Sequence, residues 1–248
     1  MSLVVAALVK NEANRYLPQA LDAWGTFADE IVILDDNSDD GTYELCEEFG
    51  CETARRETED AAWGHESPAR KELYERAMAQ KSDWVLWLDA DMVPADDPRV
   101  LCNPWLDSVA FPLFDLWSQE DDGELYYRSD KYWTGHVRPR IWMIRPPLGD
   151  GARWSGRGIH CGHLPSNLSF QRPAVAPNDY GLLHYAYLDP LDREAKTEVY
   201  LKCEELLRPA ERMHAATIAD PTPNLKLLPF EPRWHLEKQR SSAEPPSG

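Results

Sequence analysis

Over the first hundred positions, apolar residues fall in short unbroken runs separated by polar turns. Leu3 to Val9, Glu30 to Leu34 and Trp84 to Leu88 are such runs, and Cys51 to Arg55 is a shorter candidate. Runs of this kind are the pattern of strands buried on both faces. Between them the period lengthens. Leu17, Ala20, Leu21 and Trp24 recur at helical spacing within Asn14 to Trp24. Tyr43 to Phe49 reads as a second helix, stopped by Gly50. Ser67-Pro68 marks the start of a third, running to about Gln80 with Leu73, Tyr74 and Ala77 inward. Alternating strands and helices with short connections predict a mostly parallel sheet covered on both faces.

From Asn103 to Leu183 prolines and tryptophans are frequent and the helical period is lost. Val109 to Leu116, Glu124 to Ser129, Val137 to Arg145 and Leu182 to Tyr187 are the predicted strands. Asp189-Pro190 then opens a helix, with Leu191, Ala195, Val199, Cys203 and Leu206 expected on its buried face. Lys238 to Gly248 holds almost no core-forming residue and reads as disordered.

The chain has 248 residues, 43% of them hydrophobic, enough for a substantial core. A formal charge of −17 disfavours nonspecific nucleic-acid binding. The cysteines at 46, 51, 102, 161 and 203 lack metal-type spacing, and their odd number favours reduced thiols. Met1 leads straight into a strand-like run, and no stretch approaches the ~20 apolar residues of a membrane span. A cytoplasmic location is therefore expected.

Chemistry concentrates where the strands end. Trp84 to Leu88 finishes in Asp89-Ala90-Asp91, two acids one residue apart. Strand alternation would carry both to one side at the sheet's carboxyl edge, where ligands bind in such folds. Two hard oxygen donors there suit a divalent cation that also holds a phosphate. Asp-x-Asp alone is common, usually as a solvated loop pair or cap. The turn Asp35-Asp36-Asn37-Ser38-Asp39-Asp40-Gly41-Thr42 would lie at the same edge. It can serve as a capping turn, a ligand contact, or both.

Four stretches then carry a resemblance: Leu8-Val9-Lys10-Asn11-Glu12; Val32 to Thr42; Ala69-Arg70-Lys71 followed by Trp84 to Asp91; and Leu182-Leu183-His184-Tyr185-Ala186-Tyr187. Together the chain resembles the family-2-type glycosyltransferases of the GT-A fold over roughly residues 3 to 205. The resemblance implies a single α/β GT-A domain. Its central sheet would be mostly parallel, Rossmann-like and flanked by helices, with an irregular acceptor-side region. Residues 1–102 would form the nucleotide-sugar-binding half, 103–208 the acceptor-side and metal-completing half, and 209–248 a C-terminal extension.

It further implies a nucleotide-diphosphate sugar as donor, UDP- or GDP-linked, a carbohydrate or other hydroxyl acceptor, and Mn²⁺ or Mg²⁺ as cofactor. Lys10, Glu12, Asp35, Asp36, Arg70 and Asp89 would contact the donor. An arginine at position 70 can grip a diphosphate with parallel hydrogen bonds. Asp91 would be the main metal ligand, with Asp89 reaching the ribose or the metal and His184 completing the shell. Imidazole mixed with carboxylates suits Mn²⁺ at least as well as Mg²⁺.

One stretch departs from the family pattern. Trp154 to Pro165 looks like a family segment in which histidine is often followed by glutamate, but Cys161 follows His160 here. The expected general base is missing, so His160, His163 and Asp179 become candidates, beside Asp130 and Asp150. An inverting hexosyl transfer is favoured over a retaining one. Aromatic residues of the middle region should mostly be core, with Trp133 or Trp154 against a sugar ring. Arg138, Arg140, Arg145, Arg153 and Arg157 offer either anion recognition or ordinary surface pairing. Two other functions compete: a noncatalytic nucleotide-sugar or glycan-binding module, and a sugar-1-phosphate nucleotidyltransferase. The absence of glycine between Leu8 and Arg15 argues against the latter.

Overall fold

The structure is a computed structural model that describes residues 1–56, 66–130, 133, 140–146, 152–154, 162–202, 207 and 209–236. Its strands are β1 (Leu3–Val9), β2 (Glu30–Asp35), β3 (Glu52–Arg55), β4 (Trp84–Asp89), β5 (Met92–Pro94), β6 (Ser108–Phe111), β7 (Leu113–Gln119), β8 (Leu125–Arg128), β9 (Arg140–Ile144), β10 (Pro173–Val175), β11 (Leu182–His184) and β12 (Leu225–Leu227). Its helices are α1 (Leu17–Gly25), α2 (Thr42–Glu48), α3 (Glu66–Ala79), α4 (Pro190–Lys202) and α5 (Pro209–Ile218).

Seven strands form one sheet in the order β10-β6-β9-β4-β1-β2-β3. The pairings of β1 with β2 and β4, of β2 with β3 and of β10 with β6 are parallel. Only β9 runs against its neighbours. This is the mostly parallel, helix-flanked sheet that the sequence predicts. Alternate residues explain the unbroken apolar runs. Val4, Ala6, Val32, Leu34, Val85 and Trp87 face Ala69, Leu73, Tyr74 and Ala77 of α3. Leu3, Val5, Ala7, Ile33, Leu86 and Leu88 turn to the other side, against Leu17, Leu21 and Trp24 of α1.

A second sheet, in the order β12-β8-β7-β11-β5, lies on the α1 side of the core. The chain passes from the first sheet into the second three times: from β4 to β5 through Ala90-Asp91, from β6 to β7 at Pro112, and from β10 to β11. A single predicted strand over Val109 to Leu116 is therefore two. Proline lacks the N–H that a continuous ladder needs, and the break sits there.

Two expectations are corrected. Helix α1 begins at Leu17, not Asn14, because Pro18 belongs in a first helical turn and would break an interior one. On α4, Leu191 is exposed, as is Ala195, while Tyr200 is buried and Asp192, Arg193 and Lys196 are half-buried. The polar face turns inward because it finds partners there. Arg193 donates to the carbonyls of Trp117, Tyr187 and Leu188. Asp192 meets Arg15 at 3.5 Å.

No described helix is long and apolar enough to cross a membrane. Cys46, Cys51 and Cys102 are free thiols. The predicted disordered tail from Lys238 lies outside the described residues.

Candidate functional site

The loops after β1 and β2 are laced together at the carboxyl edge of the first sheet. Asn11, at φ 54°, takes the left-handed conformation that asparagine tolerates better than most residues. Its N–H donates to Ser38 Oγ at 2.8 Å, and its side-chain oxygen accepts from Asp39 N at 3.1 Å. The N–H groups of Glu12 and Ala13 both donate to Thr42 Oγ1. Asp40 caps from the other side, accepting from Ala13 N and Thr42 N. The acid-rich turn is thus a capping and lacing device.

Asp35 and Asp36 lie within this framework. Asp35 is fully buried. Its Oδ2 accepts from Ser38 N at 3.0 Å and pairs with Arg55 Nε at 3.3 Å. Its Oδ1 is buried with no hydrogen-bond partner among the described residues, an acceptor suited to a ligand N–H or hydroxyl. Asp36 pairs with Arg56, and its carbonyl accepts from Lys10 Nζ at 3.1 Å. Lys71 pairs at 3.8 Å with Glu75 on an exposed face of α3.

Asp89 and Asp91 stand at the crossing from β4 to β5. The turn at Ala90-Asp91 ends the strand alternation, so the acids meet different partners. Asp89 Oδ1 lies 3.1 Å from Arg70 Nη2 and 3.0 Å from His163 Nε2. Burial pushes Asp89 upward, but His163, Arg70 and His184 outweigh it and hold the carboxyl well below the usual range. Burial also lowers His163, with Arg70 adding to the effect against Asp89. Arg70 and His163 thus meet Asp89 at the same carboxylate oxygen. Trp142 packs on the imidazole with ring centroids 4.4 Å apart.

Asp91 is paired with His184. Strand β11 runs antiparallel to β5 with His184 opposite Met92, and Tyr185 N donates to Asp91 O at 2.9 Å. These bonds place His184 Nε2 3.5 Å from Asp91 Oδ1. The other ring nitrogen, Nδ1, is 2.6 Å from Oδ1 of Asp115 on β7. Burial lowers the His184 imidazole, but Asp91 and Asp115 together raise it above its ordinary value.

The predicted trio therefore divides. Asp91 and His184 come together, whereas Asp89 is engaged by Arg70 and His163. Among the described residues no three of His, Cys, Asp and Glu gather as a metal cage. A two-residue oxygen–nitrogen pair fits a divalent cation that takes its remaining ligands from phosphate and water. With Nδ1 on Asp115, the ring nitrogen that faces Asp91 is Nε2.

Glu12 lies on the α4 side of this pair. Its Oε2 is 3.3 Å from Arg15 Nε, and Arg15 also reaches Asp192. Burial, opposed by Arg15 and reinforced by Asp91, pushes the Glu12 carboxyl up to about 8. Lys196 acts electrostatically on both Glu12 and His184, with its ammonium 4.6 Å from the centroid of the Tyr187 ring.

Asp179 is exposed in a short 3-10 turn before β11, at the end of that strand opposite His184. Asp130 is occupied by Arg128 and by the N–H of Asn224. His160 and Asp150 lie outside the described residues. Trp133 is fully buried, edge-on to Trp117 and Tyr187 and beneath Arg128, so it cannot offer a face to a sugar. Trp154 packs edge-on against Tyr74.

Sequence reasoning missed Asp115, Arg15, Asp192 and Lys196. Asp115 had a signal: a carboxylate inside the apolar run Val109 to Leu116 needs a partner. The other three sit on helical faces or turns where charge is ordinary.

Fold and site together define a helix-flanked α/β protein with an acid–imidazole pair at the carboxyl edge of its parallel sheet. The family model described as Glycosyl transferase family 2 matches residues 4–164. The chain belongs to that family. Uncharacterised proteins of Mycobacterium bovis and Mycobacterium tuberculosis are each 27% identical over 209 residues, covering 81% of this chain and 50% of theirs. The chain thus spans about half the length of these curated relatives.

Among solved structures, S. aureus TarS is similar with a TM-score of 0.49 at 14% identity, over 88% of this chain and 42% of that one. Glucosyl-3-phosphoglycerate synthase from Mycobacterium tuberculosis, solved with Mn²⁺, UDP and glucosyl-3-phosphoglycerate, gives 0.34 at 19% identity over 46% and 44%.

Proposed function

We propose that the chain transfers a sugar from a nucleotide-diphosphate donor to a hydroxyl acceptor, with Mn²⁺ or Mg²⁺ held by Asp91 and His184. The observation that carries this reading is the 3.5 Å approach of Asp91 Oδ1 and His184 Nε2 at the sheet edge of a family 2 chain. When bound, the cation would neutralise charge on the diphosphate as it leaves. Asp35 Oδ1 accepts from the base or ribose. Asp89, fixed by Arg70, receives a ribose hydroxyl on its remaining oxygen.

In this reading the transfer inverts, and a base removes the acceptor proton. His163 is the candidate base: its Nε2 is engaged by Asp89. In the neutral ring Nδ1 is then the atom that would take the proton.

The test is turnover of a UDP- and GDP-sugar panel with and without Mn²⁺. Asp91→Asn should abolish the cation-dependent rate while leaving the fold intact. His163→Gln should lower kcat by roughly 10²- to 10⁴-fold with little change in donor binding. Cation-independent turnover, or turnover unchanged in Asp91→Asn, would overturn the metal role. Donor binding with no transfer across an acceptor panel would point instead to a noncatalytic module.

A further inference from the structure

The geometry points to Asp115 as a positioning residue that fixes the orientation and tautomer of His184, so that Nε2 carries a lone pair toward the cation. The metal half of this inference rests on the function proposed above; the tautomer half stands on the protein alone.

The argument begins with the strands. β11 pairs in parallel with β7, and His184 lies in register with Asp115. Residues in register on neighbouring strands project to the same face, so the two side chains are brought side by side by the ladder itself. Both are nearly out of solvent: Asp115 is 3% exposed, and the His184 side chain is 12% exposed. A carboxylate between Phe114 and Leu116 in a buried strand is costly unless it gains strong hydrogen bonds. The 2.6 Å contact to His184 Nδ1 is one such bond, in the range of charge-assisted pairs.

The bond has a chemical consequence. An ionised carboxylate only accepts, so Nδ1 must carry the proton. In the neutral ring Nε2 is then unprotonated, and it faces Asp91. Tyr187 meets the same imidazole edge-on with ring centroids 5.4 Å apart, which leaves the ring little room to flip. Each of the three crossings into the second sheet contributes one part: Asp91 leads into β5, Asp115 lies on β7 and His184 ends β11. Asp115 touches no reacting group; it acts through His184.

Two measurements on the full chain test this. The first needs no substitution. Nitrogen-15 NMR of the His184 ring, at a pH above its titration and without metal, should show the Nδ1–H tautomer. A ring protonated at Nε2 would overturn the inference even if the enzyme is active. The second is Mn²⁺ affinity, read from free Mn²⁺ by electron paramagnetic resonance. Asp115→Asn keeps the volume but can turn its amide N–H toward Nδ1, which forces the proton onto Nε2. Affinity should fall roughly 10- to 100-fold. In a His184→Ala background the same substitution should change affinity by less than about twofold, because the group it positions is gone.

An Asp115→Asn protein that is folded by circular dichroism and binds Mn²⁺ within about twofold of the parent would refute the positioning role. Should Asp115→Asn fail to fold, the tautomer of the unmodified protein still decides. Should the unmodified protein bind no Mn²⁺, the metal reading fails, and the tautomer measurement separately decides for or against Asp115.

Discussion

Glu12 offers a quantitative check on the electrostatics beside the proposed cation pair. Its side chain is 16% exposed, and burial lifts its carboxyl from 4.5 to about 8. The direction of the effect on stability follows from linkage. Below the unfolded value both states hold the proton, and nothing is lost. As pH rises through 4.5, the unfolded chain releases its proton while the folded one keeps it, so stability falls. The loss levels off above the folded value. At ~1.36 kcal/mol per unit the full effect is about 5 kcal/mol, of which about 3 kcal/mol has developed by neutral pH.

Glu12→Gln mimics the protonated side chain in shape and removes this proton linkage. The variant and the parent should have similar stability near the unfolded value. The variant should then become progressively the more stable, by about 3 kcal/mol at neutral pH. Urea unfolding at a series of pH values, with chelator present, measures the difference directly. A difference that stays flat within about 0.5 kcal/mol from acid to neutral pH would refute the claim that burial dominates at Glu12.

Further outcomes follow from the same geometry. His184 has a raised value, so Mn²⁺ must displace a proton whenever the pH lies below it, and affinity should fall about tenfold per unit on acidification there. The metal-free protein should show the opposite slope. The His184 contribution to its stability is complete below the ordinary 6.5 and is lost as pH rises through the folded value. Isothermal titration and thermal unfolding across the same buffers would reveal both slopes. Arg128 is fully buried between Trp117 and Trp133 and pairs with Asp130 and Asp220, so Arg128→Met should destabilise by about 3–5 kcal/mol. A loss under about 1 kcal/mol in urea unfolding would show that the two acids do not depend on it.

The parallel half of the fold was legible because its strands are covered on both faces, which leaves the unbroken runs of β1, β2 and β4. Gly50 at φ 80° and Asp40 at the lacing turn follow the local rules that sequence reading uses. Strands β5, β10 and β12 are three residues each, too short to display a period. Helix α4 was read with the wrong face inward. Hydrophobic spacing assumes an apolar core, and this helix turns toward a polar one, where Arg15, Glu12 and carbonyl oxygens await its charges. The Asp-x-Asp motif was found by spacing alone, yet only the turn at Ala90 determines that its two acids serve different neighbours. Asp115 was visible as an acid within an apolar run, but its partner depends on the register of β7 with β11, which no local pattern encodes.

The proposed cation site straddles a seam. Asp89 closes a strand of the seven-stranded sheet, while Asp91, Asp115 and His184 belong to the crossings and strands of the five-stranded one. The short β5–β11 ladder lies inside the five-stranded sheet, and with Asp91 O accepting the Tyr185 amide it sets the spacing of Asp91 and His184. A substitution that weakens this ladder would let Asp91 and His184 drift apart without unfolding either sheet. Its signature would be weakened cation binding in a protein whose melting curve has barely moved.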